Sequence, residues 1–231
     1  MNYEELRELT KDYIGLSDQQ IATFKHYCAL LKEWNEKFNL TAITEEEEIV
    51  EKHFYDCLLA LKHIKQESLE VCDLGSGAGF PGLVFAIARP QWIITLVDST
   101  KKKTVFLEEA AKAMGLKNVK VMNKRGEELP FREKFDLVTA RAVAPLYLLL
   151  ELGMPILKVN GRFLALKGSK AGEELDEAKE ALRKLNCSVS FINEEELPND
   201  AGKRNNIIIT KDKPTNKKYP RTWGEMQKYH L

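Results

Sequence analysis

The spacing of apolar positions changes once along the chain. In the first part Ile21, Phe24, Cys28, Leu31, Trp34 and Phe38 recur at three- and four-residue intervals, which predicts a helix with one buried stripe. A second helix is expected from Thr44, with Thr44 as N-cap and Glu47 at the capping-box position. The acids Glu45 to Glu48 suit the positive start of that helix, although a solvated first turn has the same composition. From residue 69 the pattern becomes one of short β-rich runs. They fall at Leu69–Leu74, Trp92–Val97, Val119–Met122, Phe135–Ala140, Arg162–Leu166, Cys187–Ile192 and Ile207–Thr210. Helix-length stretches separate the first six, among them Lys101–Met114 ahead of Gly115, and Ala171–Leu185. Glu194–Asn206 between the last two is polar and loop-like, so those runs are expected to pair as a hairpin.

Six βα-type repeats closed by a hairpin predict an α/β fold. It is a mostly parallel, Rossmann-like, doubly wound seven-stranded sheet with one antiparallel strand. The organisation expected is a helical extension over 1–67, a main domain over 68–213 and a polar, basic surface tail over 214–231.

Composition narrows this only a little. The 231 residues have a net charge of zero, which argues against a general nucleic-acid coat protein. The charge is unevenly distributed, however. Residues 1–70 carry 15 acids against 8 bases, and residues 71–231 carry 20 acids against 27 bases, permitting a basic face on the second part. Every apolar run falls well short of the roughly 18–20 residues that span a bilayer. The charged start MNYEELRELTKDY lacks a signal-peptide core. Cys28, Cys57, Cys72 and Cys187 lie far apart with no metal-ligand spacing, so buried thiols in a reducing cytoplasm are expected, and no metal. The expectation is a cytoplasmic monomer without membrane association.

The candidate chemistry lies in Val71-Cys-Asp-Leu-Gly-Ser-Gly-Ala-Gly-Phe-Pro-Gly-Leu83. From Gly77 it fits G-x-G-x-x-G, a dinucleotide fingerprint; from Asp73 it reads acid-x-Gly75-x-Gly77-x-Gly79, which suits a cofactor carrying an amino acid. In an open α/β sheet ligands bind beyond the carboxyl ends of the strands where strand order reverses, and this loop is placed there. A pyrophosphate docks at the helix start after such a loop, and a carboxylate at Asp73 repels it. Like charges about 5 Å apart cost on the order of a few kcal/mol at an effective dielectric near 20. S-adenosyl-L-methionine carries an ammonium and a sulfonium and no phosphate. Asp98 ends the second strand, where an acid can accept both ribose hydroxyls of either cofactor. No tyrosine is followed four positions later by lysine, so the catalytic pair of a short-chain dehydrogenase is missing. Both tests favour S-adenosylmethionine.

Asp73-Leu-Gly-Ser-Gly-Ala-Gly-Phe-Pro-Gly82 resembles the class I methyltransferase loop in the form found in bacterial 16S ribosomal RNA guanine-N7 methyltransferases, also called glucose-inhibited division protein B. Asn39-Leu-Thr-Ala-Ile43, His53-Phe-Tyr-Asp-Cys-Leu58, Leu96-Val-Asp-Ser-Thr-Lys-Lys-Lys103, Thr139-Ala-Arg-Ala142 and Leu166-Lys-Gly168 resemble further motifs of that family, so the likeness covers essentially the whole chain. It implies that Gly75 and Phe80 line the methionine end of the cofactor, within the loop formed by Asp73, Gly75 and Gly77. It also implies that Asp98, Ser99 and Thr100 hold the ribose and one edge of the adenine. Gly126 and Glu127 would face the adenine, and Arg141 would close the pocket. The implied reaction is methylation of a guanine N7 in the decoding-region loop of 16S rRNA, on free rRNA or the small ribosomal subunit.

The residues fit that chemistry by elimination. There is no Pro-Cys turn of a cytosine-C5 enzyme, and Ala140-Arg141-Ala142-Val143-Ala144-Pro145 is not the Asp/Asn-Pro-Pro-Tyr/Phe of an adenine-N6 enzyme. Guanine N7 has a free lone pair and needs no proton removed, so no general base is expected. Arg141 and Lys167 are the positioning candidates. RNA contacts are expected from Lys101, Lys102, Lys103, Lys167 and Arg221, near Tyr219 and Trp223 in the tail. A class I methyltransferase acting on a small molecule or protein is the alternative; it predicts an enclosed pocket without a basic rim. A binding module on a degenerate methyltransferase fold predicts damaged cofactor residues, and these are intact.

Overall fold

In the computed structural model, which describes residues 1–231, the two periods become a helical layer and a sheet. The helical part comprises α1 (Tyr3–Thr10), α2 (Asp18–Phe38), α3 (Glu46–Ile49) and α4 (Asp56–Leu59). Ser17 caps α2 through Gln20, and Asn39 ends it in the left-handed conformation. Thr44 is not the cap expected for α3. The N-cap is one residue later, Glu45, with no side-chain cap bond. Between α3 and α4 the backbone widens to a π-helical segment, Val50–Tyr55, which periodicity in steps of 3.6 does not signal. The wide turn turns Val50, Glu51, His53, Phe54 and Tyr55 all inward.

The sheet follows: β1 (Glu70–Leu74), α5 (Gly82–Ala88), β2 (Ile93–Asp98), α6 (Lys101–Ala113), β3 (Val119–Asn123), β4 (Phe135–Arg141), α7 (Leu146–Gly153), β5 (Leu157–Lys167), α8 (Ala171–Glu177), α9 (Lys179–Lys184), β6 (Cys187–Glu196), β7 (Lys203–Lys211) and α10 (Trp223–Lys228). Strand order is β3-β2-β1-β4-β5-β7-β6, and β7 alone runs antiparallel to its neighbours. Order reverses between β1 and β4, opening a crevice at the carboxyl ends of the strands.

Three expectations about the connections need correction. No α-helix joins β3 to β4; a single 3-10 turn, Gly126–Glu128, does. The predicted helix over 171–185 is broken at Ala178 into α8 and α9. The polar stretch 194–206 is mostly strand, because Glu194, Glu195 and Glu196 pair across the ladder with Asn205, Arg204 and Lys203, so opposite charges meet and only a short turn remains.

Alternate residues of the strands feed two cores, as expected of a sheet covered on both faces. Leu137, Leu164 and Ile208 enter a core of 41 buried residues that also contains Leu6, Phe24, Leu31 and Phe54, so the N-terminal helices and the sheet are continuous in packing. Val138, Phe163, Ala165 and Ile209 face a second core with α7, α8 and α9. The C-terminal segment joins that second core: Tyr219, Met226 and Leu231 are buried in it. The tail is therefore docked, not a free surface segment. All four cysteines are buried free thiols. No helix is long and apolar enough to cross a membrane.

Candidate cofactor cleft

After β1 the chain turns through Gly75, Gly77 and Gly79 at φ of +70°, +58° and +97°, a region that side chains other than glycine rarely adopt. The turn is strapped to β2. Gly75 and Ser76 donate their N–H groups to the Val97 carbonyl at 2.8 and 3.0 Å, and the Ser76 hydroxyl accepts from Val97 N at 3.1 Å. Asp98 completes the strap, its Oδ2 accepting from Gly77 N at 3.0 Å and its Oδ1 from Thr100 N at 2.8 Å. A carboxylate has about four lone-pair sites. Asp98 therefore keeps acceptor capacity for a ligand.

A cavity of about 310 Å³ opens above this strap. Of the residues expected at a cofactor, the structure gathers Gly75, Asp98, Ser99, Thr100, Gly126 and Glu127 around it. Lys103, Lys124 and Arg125 line it as well, giving it a basic side; Lys103 Nζ lies 4.0 Å from Asp98 Oδ2. Sequence reasoning missed three apolar residues of the lining, Val143, Leu152 and Trp223. The only available signal was a tryptophan in an otherwise polar tail.

Four expected residues lie off this wall. Gly77 is in the strap beneath. Asp73 is fully buried behind the loop, where Oδ2 accepts the Gly82 N–H at 3.0 Å and Oδ1 has no partner. A Cβ on Gly82 would lie 2.2 Å from Leu96 and 2.6 Å from the Asp73 carboxylate, so glycine is required for that approach. Burial pushes the Asp73 carboxyl up to about 7, against the opposing pull of Ser76, Gly82 and Arg141. The native protein then holds a proton that the unfolded chain releases near 3.8, so this group's contribution to stability is complete at low pH and is lost as pH rises through about 7. Asp73→Asn is expected to stabilise the protein at about pH 8 and to lose that advantage by about pH 4; urea unfolding at the two pH values checks it.

Phe80 is buried under the site, where His53 stacks on it at 4.3 Å and the Arg141 guanidinium lies 4.8 Å over its ring. Arg141 turns towards the N-terminal helices and does not close the cleft. It donates to Asp56 Oδ2 and the Lys52 carbonyl, both at 3.3 Å, and to His53 Nδ1 at 3.1 Å. Asp56 also accepts from Arg204 Nε at 2.8 Å. Burial and the Arg141 charge push His53 down to about 3, and its Nε2 meets Thr41 Oγ1 at 2.9 Å, so the ring stays neutral and engaged at both nitrogens.

Two of the cations expected to meet RNA are committed internally. Lys167 is buried and donates to Glu174 at 2.6 Å and to the Ala144 carbonyl at 3.0 Å. Arg221 forms a fork on buried Glu151, with Nε at 2.7 Å and Nη2 at 2.6 Å. In each case a carboxylate on the helical layer takes the charge. Lys101 and Lys102 are exposed on the first turn of α6, and Lys103 is half-buried beside the cleft.

The strand order and the acid-flanked cleft define a class I S-adenosylmethionine-dependent methyltransferase. Solved structures share the fold. Ribosomal protein L11 methylase from Lactobacillus delbrueckii subsp. bulgaricus matches with a TM-score of 0.55 at 17% identity, covering 70% of this chain and 79% of that one. TYW2 of M. jannaschii, solved in complex with AdoMet, matches with a TM-score of 0.53 at 16% identity, covering 73% and 76%. Residues 20–204 match the GidB family, described as rRNA small subunit methyltransferase G. Ribosomal RNA small subunit methyltransferase G of Staphylococcus carnosus is 44% identical over 100% of this chain and 99% of its own length. The chain belongs to the rRNA small subunit methyltransferase G family.

Proposed function

We propose that this protein transfers a methyl group from S-adenosylmethionine to N7 of a guanine in 16S rRNA. The observation that carries the reading is Asp98: a carboxylate at the carboxyl end of β2 that organises the glycine turn and keeps acceptor capacity in a cleft also lined by Lys103, Lys124 and Arg125. When bound, S-adenosylmethionine supplies an electrophilic methyl on a sulfonium. Asp98 would accept the ribose hydroxyls, with Ser99 and Thr100 beside it, and Gly126 and Glu127 would meet the adenine. Gly75 lets the backbone approach the methionine end. Transfer from a sulfonium is an in-line displacement, so the chain contributes alignment and electrostatics. Guanine N7 attacks through a free lone pair, and no proton has to be taken from it. His53, neutral and bonded at both ring nitrogens, accordingly has no base role to fill.

The open, basic side of the cleft favours a polyanion over a small enclosed substrate. Lys103, Lys124 and Arg125, with Lys101 and Lys102 beside them, would meet phosphates. The test is transfer of labelled methyl from S-adenosylmethionine, with 16S rRNA, intact small subunits and a small-molecule extract offered in parallel. Label is expected in the RNA of one of the first two. Label confined to small molecules or protein refutes the reading.

A further inference from the structure

The C-terminal segment supplies one wall of the cleft, and the region matched by the family, residues 20–204, stops before it. The segment is firmly held. Arg221 meets Glu151 through its backbone N–H at 3.0 Å and both arms of its fork, and the Glu151 side chain is only 1% exposed. Thr222 caps α10 by a reciprocal bond with Glu225, and Met226 is fully buried. Between these anchors Trp223 is half-buried, packed against the second core and facing the cavity. Its neighbour on that wall, Leu152, seats the Gly126 turn, where a Cβ would come within 3.2 Å of it.

We infer that Trp223 is a cofactor-binding residue, its indole forming the apolar wall against one face of the adenine ring. The inference rests on the cleft holding S-adenosylmethionine. A purine is flat and apolar on both faces and polar only along its edge. Leu74 and Val97 provide apolar surface at the strand ends, Gly126 and Glu127 provide polar groups for the edge, and the remaining apolar lining is Ala142, Val143, Leu152 and Trp223, of which Trp223 alone is aromatic. An indole fixed by anchors on both sides is pre-organised for stacking, so little ordering cost falls on binding. A base of the rRNA is the competing occupant. Trp223 lines the same cavity as Gly126, Glu127 and Asp98, which favours the nucleoside of the cofactor.

The test titrates S-adenosylhomocysteine into wild type, Trp223→Phe and Trp223→Ala, following heat and tryptophan emission. Stacking of a base on an aromatic ring predicts that Trp223→Ala binds about tenfold more weakly, with Trp223→Phe close to wild type. Wild-type emission is expected to change on binding, and most of that change is lost in Trp223→Phe, because Trp92 is fully buried and Trp34 packs on Phe38 and Phe106. Unchanged affinity in Trp223→Ala, or an undiminished emission change in Trp223→Phe, overturns the inference. Unchanged affinity with a raised KM for small subunits would reassign the ring to an RNA base. Failure of wild type itself to bind removes the cofactor reading on which the inference stands. If Trp223→Ala does not fold by circular dichroism, the emission result on Trp223→Phe decides.

Discussion

Asp98→Ala is expected to weaken binding of S-adenosylhomocysteine by about 100-fold or more while leaving the fold intact. Two hydrogen bonds from ribose hydroxyls to a carboxylate are each worth about 1.5–3 kcal/mol, and every 1.4 kcal/mol is about tenfold in affinity. The same substitution removes the acceptor of the Gly77 and Thr100 N–H groups, which loosens the glycine turn the ligand must contact. Thr100 borders an open cavity, so water can replace the carboxylate there and the stability loss stays at about 1 kcal/mol. Calorimetry with far-ultraviolet circular dichroism separates the two effects. An unchanged affinity removes Asp98 from the ribose.

The second large effect is expected on stability. Asp56 lies in the N-terminal helical layer and is 4% exposed, yet it takes Arg141 from β4 and Arg204 from β7 at 3.3 and 2.8 Å. Burial raises its carboxyl above the ordinary range against the pull of both arginines, a measure of how far it is removed from water. Asp56→Ala leaves two guanidinium groups without their carboxylate; Arg141 keeps only the Lys52 carbonyl and His53 Nδ1, and Arg204 the Lys203 carbonyl. Breaking a buried pair by removing one partner costs about 3–5 kcal/mol. Arg141 and Arg204 retain 15% and 22% of their exposure, so some water reaches them and the lower end applies. Urea unfolding is expected to show a loss of about 3 kcal/mol; a loss below about 1 kcal/mol, as for a surface pair, contradicts the role of this residue as the tie between helices and sheet.

How much of this was readable in the sequence follows a physical division. Elements whose signal is local were placed approximately: the parallel strands by their β-rich runs, and the closing hairpin by the polar stretch between its two strands. Asp98, Ser99, Thr100, Gly126 and Glu127, implied by the family resemblance, line one cavity at the edge where topology places ligands. Partnerships between distant residues were not legible. A charge after the FDLVTA strand demanded a partner, but only the packed structure shows that Arg141 finds it 85 residues back, in Asp56. Arg221 and Glu151, 70 residues apart, likewise turn an apparently solvated tail into part of the cleft wall.

Asp73 shows the division within one residue. Its charge seemed from sequence to repel a pyrophosphate, but the structure buries the carboxyl and raises it to about 7. What the carboxyl does in the structure is take the helix-start N–H of Gly82.

The most direct measurement uses small subunits that lack native methylation at the target. They are incubated with this protein and S-adenosylmethionine, and the 16S rRNA is then reduced with borohydride and cleaved with aniline. This chemistry cuts the strand at N7-methylguanine. A single new cleavage at one guanine, dependent on the protein and absent with Asp98→Ala, is the predicted result. Methylation that leaves the strand uncut, or label on any base other than guanine, contradicts the account.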